Sequence, residues 1–344
     1  MAGRLHFAEG WDYGNNSESE MMDYYRKFSG TTNPGTGVTL ISTGGHLTDE
    51  GYLQITPGRI HIWGPGAVPE TGASFIFGIC VGTRVVSSAG MLYNFMYNGV
   101  AEINIYQDAS GYFLVRRGAT VLGTSTNPYN TDDGFHYITL KVTLHNSTGS
   151  FELYVDHSLE ASGSGLDTSD GGALKINGLS FEDMWTKHDH CIIYNDAGAV
   201  PTDDWVVQNL NIDGDGNYSQ FTPSAGSNYQ NVDDVEMDHD TTNNESATVT
   251  DRDSYTHANP VLAITGVVEG ILLYHWIKNV GPGSRTVDPF LRQSSTDYDQ
   301  SPYTPDSASD YRTEIIVVPD SPAGATNFTP TEINNLETGL EVAS

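Results

Sequence analysis

Residues Phe135 to His157, FHYITLKVTLHNSTGSFELYVDH, alternate apolar and polar side chains with a period of two on both sides of a short turn. Ile138, Leu140, Val142 and Leu144 share one face, and Tyr137, Thr139, Lys141 and Thr143 share the other; after Asn146 to Gly149, Phe151, Leu153 and Val155 resume the apolar face. A period of two is met only by extended backbone, whose successive side chains point to opposite sides. One face is therefore core and one is wet. A slip of one residue would turn every apolar side chain outward, so the register of this hairpin is strongly fixed. The pattern recurs upstream. Met91 to Tyr97 and Ala101 to Tyr106 are joined by Asn98-Gly99, a two-residue hairpin signal, with Ala101, Ile103 and Ile105 on one face and Glu102, Asn104 and Tyr106 on the other. Tyr112 to Arg116 follows as a further strand, and Ser74 to Val81 is apolar enough for burial on both faces. Strands spaced about ten residues apart over roughly two hundred residues, with no long helix between them, predict an all-β fold built as a two-sheet antiparallel sandwich.

The chain changes character between Asp203 and Asp240. Trp205, Val206, Val207, Leu210 and Ile212 read as a strand covered on both sides, closing the sandwich. Asp213-Gly214-Asp215-Gly216 reads as the turn that ends it, because glycine accepts positive φ and aspartate bonds its own backbone in turns. The expected division is a sandwich over residues 1–215 and a smaller β-rich module over 216–344. In that module Pro260 to Val280, Val287 to Arg292 and Arg312 to Val318 read as strands, and Ser294 to Asp310 as a polar loop. Near the end Thr329 and Glu332 have capping-box spacing around Pro330, predicting a short helix with Ile333 and Leu336 toward the core and Gly339 as its stop. A second helix signal lies at Ser17 to Gly30, and Thr186 to Thr202 reads as a long polar loop.

Composition excludes some partners. Against 44 Asp plus Glu stand 15 Lys plus Arg, a formal net charge of −29, and a surface lacking positive charge cannot neutralise phosphates. Nucleic acid is not an expected partner. The longest apolar run, Val261 to Val280, is broken by Glu269, His275 and Lys278 and does not read as a membrane span. The opening MAGRLHFAEGW lacks the features of a secretory signal, so export by that route is not expected. Cys80 and Cys191 each sit in an apolar run and read as free thiols.

Three stretches carry candidate chemistry. Asp213 and Asp215 fall at the first-half spacing of an EF-hand calcium loop, but Thr222 stands where the bidentate glutamate belongs, so no cofactor is expected beyond weak calcium at most. Glu236-Met237-Asp238-His239-Asp240 approaches an alternating carboxylate triad for glycoside hydrolysis, with a shorter Asp in the acid's place; a solvated acidic linker explains it as well. His188-Asp189-His190-Cys191 has metal-ligand residue types but no identifiable further ligands. No phosphate-binding glycine loop, CxxC pair or GxSxG elbow appears. Tyr24, Tyr25, Tyr229, Tyr255, Tyr303 and Tyr311 lie in polar or edge segments and are the candidate interface aromatics.

The block FHYITLKVTLHNSTGSFELYVD resembles the long hairpin of laminin-G or concanavalin A-like jelly rolls, in its aromatic entry, alternating strand, glycine-containing turn and ELYVD return. The wider texture resembles sandwich proteins of this superfamily in tailed-phage particles, through YFLVRRG, Phe181 to Trp185, Trp205 to Ile212 and FTPTEINNLETGLEV. That resemblance implies an antiparallel concanavalin A-like jelly roll followed by the smaller β-rich module. It also implies a non-enzymatic structural component of a tailed-phage virion, a capsid decoration or a tail or fibre protein made in the host cytoplasm. Its partners would be other virion proteins and further copies of itself. A glycan-binding adhesin for a host-surface saccharide is the alternative, and a glycoside hydrolase a more distant one.

Overall fold

The computed structural model describes residues 4–9, 38–41, 52–55, 60–68, 74–83, 89–129, 134–182, 186–196, 200, 202–234, 240–260, 264, 266–281, 283, 285–305, 311–324 and 326–344. The chain forms two compact units, Met1–Val207 and Gln208–Ser344. Strand dominates both, as the period-two patterning predicts.

The first unit is a two-sheet antiparallel sandwich of jelly-roll type. Its larger sheet contains β1 (Arg4–Glu9), β2 (Val38–Ile41), β3 (Tyr52–Ile55), β5 (Ser74–Thr83), β10 (Phe135–Thr143), β11 (Gly149–Val155), β12 (Ser158–Leu166) and β14 (Thr186–Asp196), in the order β12-β11-β10-β5-β14-β3-β2, with β1 also on β14. The second sheet runs β4-β13-β6-β7-β8-β9, from β4 (Ile60–Val68), β13 (Ile176–Phe181), β6 (Gly90–Tyr97), β7 (Val100–Gln107), β8 (Tyr112–Arg117) and β9 (Thr120–Pro128). The hairpin β10–β11 pairs Ile138 with Val155 and Val142 with Phe151, so the alternating apolar residues meet on one face. The turn between β6 and β7 puts Asn98 and Gly99 at φ 49° and 82°, the twist-matched geometry of two-residue hairpins.

The core is aromatic where the sheets face each other. Phe75 and Phe77 of β5 meet Phe95 of β6 at ring centroids of 5.4 and 5.0 Å, and all three are fully buried. A buried polar cluster lies beside it, in which His188 of β14 has its Nδ1 2.9 Å from the Tyr93 hydroxyl and its Nε2 2.7 Å from the Thr186 hydroxyl. Burial pulls its pKa from 6.5 to about 3, so the ring is neutral.

Two expectations for this unit are corrected. Thr186 to Thr202 is not a loop throughout, since Thr186–Asp196 is the strand β14 at the centre of the larger sheet. Its polar appearance misleads because His188 bonds both Thr186 and Tyr93, and because a bulge between Asp189 and Ile192 breaks the alternation, with His190 at φ 49°. Trp205 is in no strand; its ring packs 5.7 Å from that of Tyr194 and over Gly78 of β5, covering the larger sheet from outside.

The second unit is organised on a sheet in the order β15-β18-β23-β20-β21, from β15 (Ile212–Ser219), β18 (Arg252–His257), β20 (Val287–Gln293), β21 (Thr296–Asp299) and β23 (Glu337–Val342). Two ribbons accompany it, β16 (Thr222–Pro223) with β17 (Asn244–Glu245), and β19 (Ile271–Ile277) with β22 (Arg312–Val318). Leu273, Leu291, Val318, Phe328, Ile333 and Leu336 form a core cluster there. The helix α1 (Pro330–Asn334) carries the predicted capping box, with the Glu332 amide donating to the Thr329 hydroxyl at 3.2 Å and the Thr329 amide to the Glu332 carboxylate at 2.7 Å.

Here too the sequence reading needs correction. Asp213 to Gly216 is strand, not turn, and the expected loop Ser294 to Asp310 contains β21. Gly339 does not stop the helix. It stands in β23, the middle strand of the sheet, where a Cβ would come within 2.3 Å of the Asp253 carbonyl and 2.4 Å of the Phe290 ring. The site needs glycine for closeness of approach, not for turning.

Candidate functional site

The second sheet of the sandwich turns Phe95, Ile103, Ile105, Val115, Leu179 and Phe181 toward the core, all of them buried. Its opposite face carries the residues between them. Register aligns four of these on neighbouring strands: Ser180 of β13 opposite Asn94 of β6, Asn94 opposite Asn104 of β7, and Asn104 opposite Arg116 of β8. The result is a polar row running across the strands.

Hydrogen bonding along the row is uneven. Glu182, just past the end of β13, accepts from the Ser180 hydroxyl at 2.6 Å and from the Asn94 amide at 2.9 Å. That half of the row is internally tied. The Arg116 guanidinium lies 4.3 Å from the centroid of the Tyr106 ring, which fixes its plane. Asn104 is 2% exposed, yet its Oδ1 has no hydrogen-bond partner, and neither has the buried Nε of Arg116. Buried polar atoms are nearly always paired, and each unpaired one costs about 1–3 kcal/mol. An acceptor and a donor on directly opposed residues are thus left unmatched by the protein itself. Asn104 Oδ1 has capacity to accept one more hydrogen bond and Arg116 Nε to donate one.

Glu102, two residues before Asn104 on β7, is 1% exposed and engaged elsewhere. Its carboxylate accepts from the Ser169 hydroxyl and from the amides of Gly171 at 3.1 Å and Ala173 at 3.3 Å.

None of the described residues singled out by sequence belongs to this row. Asp213 and Asp215 project from β15, where Asp213 accepts from the Thr256 hydroxyl at 2.7 Å and Asp215 from the Tyr229 amide at 2.7 Å; an extended strand does not wrap an ion as a calcium loop does. Among the described residues no three His, Cys, Asp or Glu side chains converge as metal ligands. His188 is in the core, and Cys80 and Cys191 are buried and not disulfide-bonded. Glu236 to His239, Tyr24 and Tyr25 lie outside the described residues.

The remaining candidate tyrosines are tied within the second unit. The Tyr255 hydroxyl donates to Asp253 at 2.9 Å and accepts from Asn244 at 2.9 Å, and that of Tyr303 is 3.1 Å from Nδ1 of His275. Tyr311 donates to Asp240 at 3.1 Å and lies parallel to Trp276, ring centroids 5.8 Å apart. The backbone of Tyr229 forms part of a single 3-10 turn. The charged face of the five-stranded sheet is also closed on itself: Asp297 accepts from Tyr218 at 2.7 Å and from Arg252 at 2.9 Å, and Arg292 pairs with it as well. Among the described residues no helix is long and apolar enough to cross a membrane.

No protein-family model and no curated protein sequence matches the chain. Solved structures do. A mutant of Trypanosoma rangeli sialidase displaying trans-sialidase activity is similar at 15% identity and a TM-score of 0.34 over 47% of this chain, which spans 28% of that protein's length. Alginate lyase Aly36B is similar at 11% identity and a TM-score of 0.40, covering 56% of this chain and 97% of its own. A mutant of that lyase in complex with alginate tetrasaccharide gives 10% identity and a TM-score of 0.38, covering 58% of this chain and 100% of its own. These are enzymes acting on carbohydrate. The expectation of a non-enzymatic structural component of a phage particle is accordingly corrected, and the expectation that the chain is not an enzyme is withdrawn with it.

Proposed function

We propose that the first unit belongs to a carbohydrate-active protein and takes a saccharide across the outer face of its second sheet, over Ser180, Asn94, Asn104 and Arg116. The observation that carries this reading is the buried, unpaired acceptor and donor pair, Asn104 Oδ1 and Arg116 Nε, on directly opposed residues. A hydroxyl donates and accepts at the same atom, and saccharides present hydroxyls at every ring. Neighbouring strands lie about 4.8 Å apart, so a sugar chain crossing the strands would set successive hydroxyls over successive polar residues of the row. The Tyr106 ring beneath Arg116 holds the guanidinium in place before a ligand arrives, which lowers the entropy lost on binding.

The test is binding and turnover with laminarin, xylan, mannan, chitin oligosaccharides, alginate and polygalacturonate, by the wild-type chain and by Asn104→Ala and Arg116→Ala. Hydrogen bonds to charged groups contribute about 1.5–3 kcal/mol, so Arg116→Ala should weaken the bound saccharide about tenfold or more. Asn104→Ala should do nearly as much. No binding to any of these polymers, or binding indifferent to both substitutions, would remove the reading.

A further inference from the structure

β7 carries one residue more than its partner two positions before Asn104 of the polar row. Phe95 of β6 is opposite Ile103, but the next residue, Met96, is opposite Ala101, and Glu102 has no partner on β6. This is a β-bulge, and bulges beside functional sites commonly re-aim the side chains that follow. Its extra residue is bound by a separate segment, the strap from Asp167 to Ala173 between β12 and β13. The Glu102 carbonyl accepts from the Asp170 amide at 3.0 Å, and the Glu102 carboxylate accepts from the Ser169 hydroxyl and the Gly171 and Ala173 amides. The strap fits closely, for a Cβ on Gly171 would come within 2.4 Å of Glu102 Oε1. It is also anchored to Arg117 of β8 through Asp167 and to the larger sheet, where the Thr168 hydroxyl donates to the Thr143 carbonyl at 2.8 Å and accepts from the His145 amide at 2.9 Å.

We infer that Glu102 is a positioning residue for the saccharide face: by fastening the bulge to the strap it holds the register in which Asn104 stands opposite Asn94 and Arg116. The inference rests on the proposed saccharide reading. Its physical ground is the two-residue period of a strand. If the bulge at Glu102 were drawn out, β7 would shift by one residue on β6, and Asn104 would exchange faces with its core-facing neighbours Ile103 and Ile105. Four hydrogen bonds to one residue, three of them on a buried carboxylate, make that shift costly. Burying a carboxylate beside a sheet needs such a reason, because an aspartate or glutamate at this depth is tolerated only when its oxygens are fully engaged.

The experiment compares Glu102→Gln with Thr168→Val in the full chain. Both loosen the strap, but only the first touches the bulge. Each is titrated with laminarin, xylan, mannan, chitin oligosaccharides, alginate and polygalacturonate, beside wild type and Asn104→Ala. Glu102→Gln should lower affinity for the bound polymer at least tenfold, and Thr168→Val less than twofold, although both lower the melting temperature. Ser169→Ala, which removes a single donor from the carboxylate, should lower affinity by a smaller factor of two to three and serves if Glu102→Gln does not fold. Wild-type affinity in Glu102→Gln or Ser169→Ala, or equal losses in Glu102→Gln and Thr168→Val, would overturn the positioning role while Asn104→Ala still loses binding. Unchanged binding in Asn104→Ala would instead remove the saccharide reading beneath it.

Discussion

Gly339→Ala should destabilise the second unit by about 3 kcal/mol or more, enough to lower its melting temperature by roughly 10 °C. The added methyl would meet the Asp253 carbonyl at 2.3 Å on one side and the Phe290 ring at 2.4 Å on the other. Neither can yield cheaply. Phe290 is fully buried with Tyr218 against it edge to face at 5.8 Å, and Asp253 belongs to β18, hydrogen-bonded to both β15 and β23. Its side chain is also held, by the Phe221 amide at 2.9 Å and the Asn228 amide at 2.6 Å. Calorimetry on the full chain checks this, with the loss expected in the transition of Gln208–Ser344. A shift under about 2 °C would show that the sheet opens more readily than these contacts imply.

The first unit should lose stability on mild acidification, well before its carboxylates titrate. His188 is neutral in the fold, with a pKa of about 3, and has an ordinary value of 6.5 once unfolded. Below pH 6.5 the unfolded chain therefore binds a proton that the folded chain refuses. Stability falls as pH falls, by up to about 1.4 kcal/mol per pH unit, until the folded ring itself titrates near pH 3. Between pH 6.5 and 4.5 the loss should approach about 2 kcal/mol. Asp156 and Glu160, whose pKa values the fold lowers despite burial through bonds to His136 and Tyr137 and to Asn127 and Tyr129, add their losses only below their ordinary values of 3.8 and 4.5. The two windows are separable. His188→Phe would keep an aromatic ring between Tyr93 and Phe181 but remove the ring's hydrogen bonds to the Tyr93 and Thr186 hydroxyls, costing about 2 kcal/mol near neutrality. Urea unfolding at pH 7, 6 and 5 should show wild type descending toward the variant. Parallel slopes in the two proteins would rule out His188 as the source.

Much of the sandwich was legible because its strands announce their faces. The alternation from Phe135 to Val155 gave the observed register, and Asn98-Gly99 the observed turn. β15 was not legible. Its Asp-Gly-Asp-Gly sequence is a turn signal in isolation, and it becomes strand because Gly214 and Gly216 face β18 closely enough that a Cβ would meet Thr256 Oγ1 at 2.8 Å and Ser254 Oγ at 2.4 Å. β14 was missed for the opposite reason, since its buried Thr186 and His188 bond each other and His188 bonds Tyr93, which no local pattern records. The candidate site was half visible. Alternation put Asn104 and Tyr106 on the face away from the core, but only strand pairing brings Asn94, Arg116 and Ser180 beside them.

The place of β14 also governs how the larger sheet can be made. It is the last strand of that sheet to leave the ribosome, yet it pairs β5 along one side and β3 and β1 along the other, joining Asn195 to Arg4. Pairings this distant in sequence carry a large loop-closure cost and make for slow folding. Until Asp196 is synthesised, β2–β3 and β5–β10–β11–β12 are separate fragments, and the open edge of β5 invites pairing with another nascent chain.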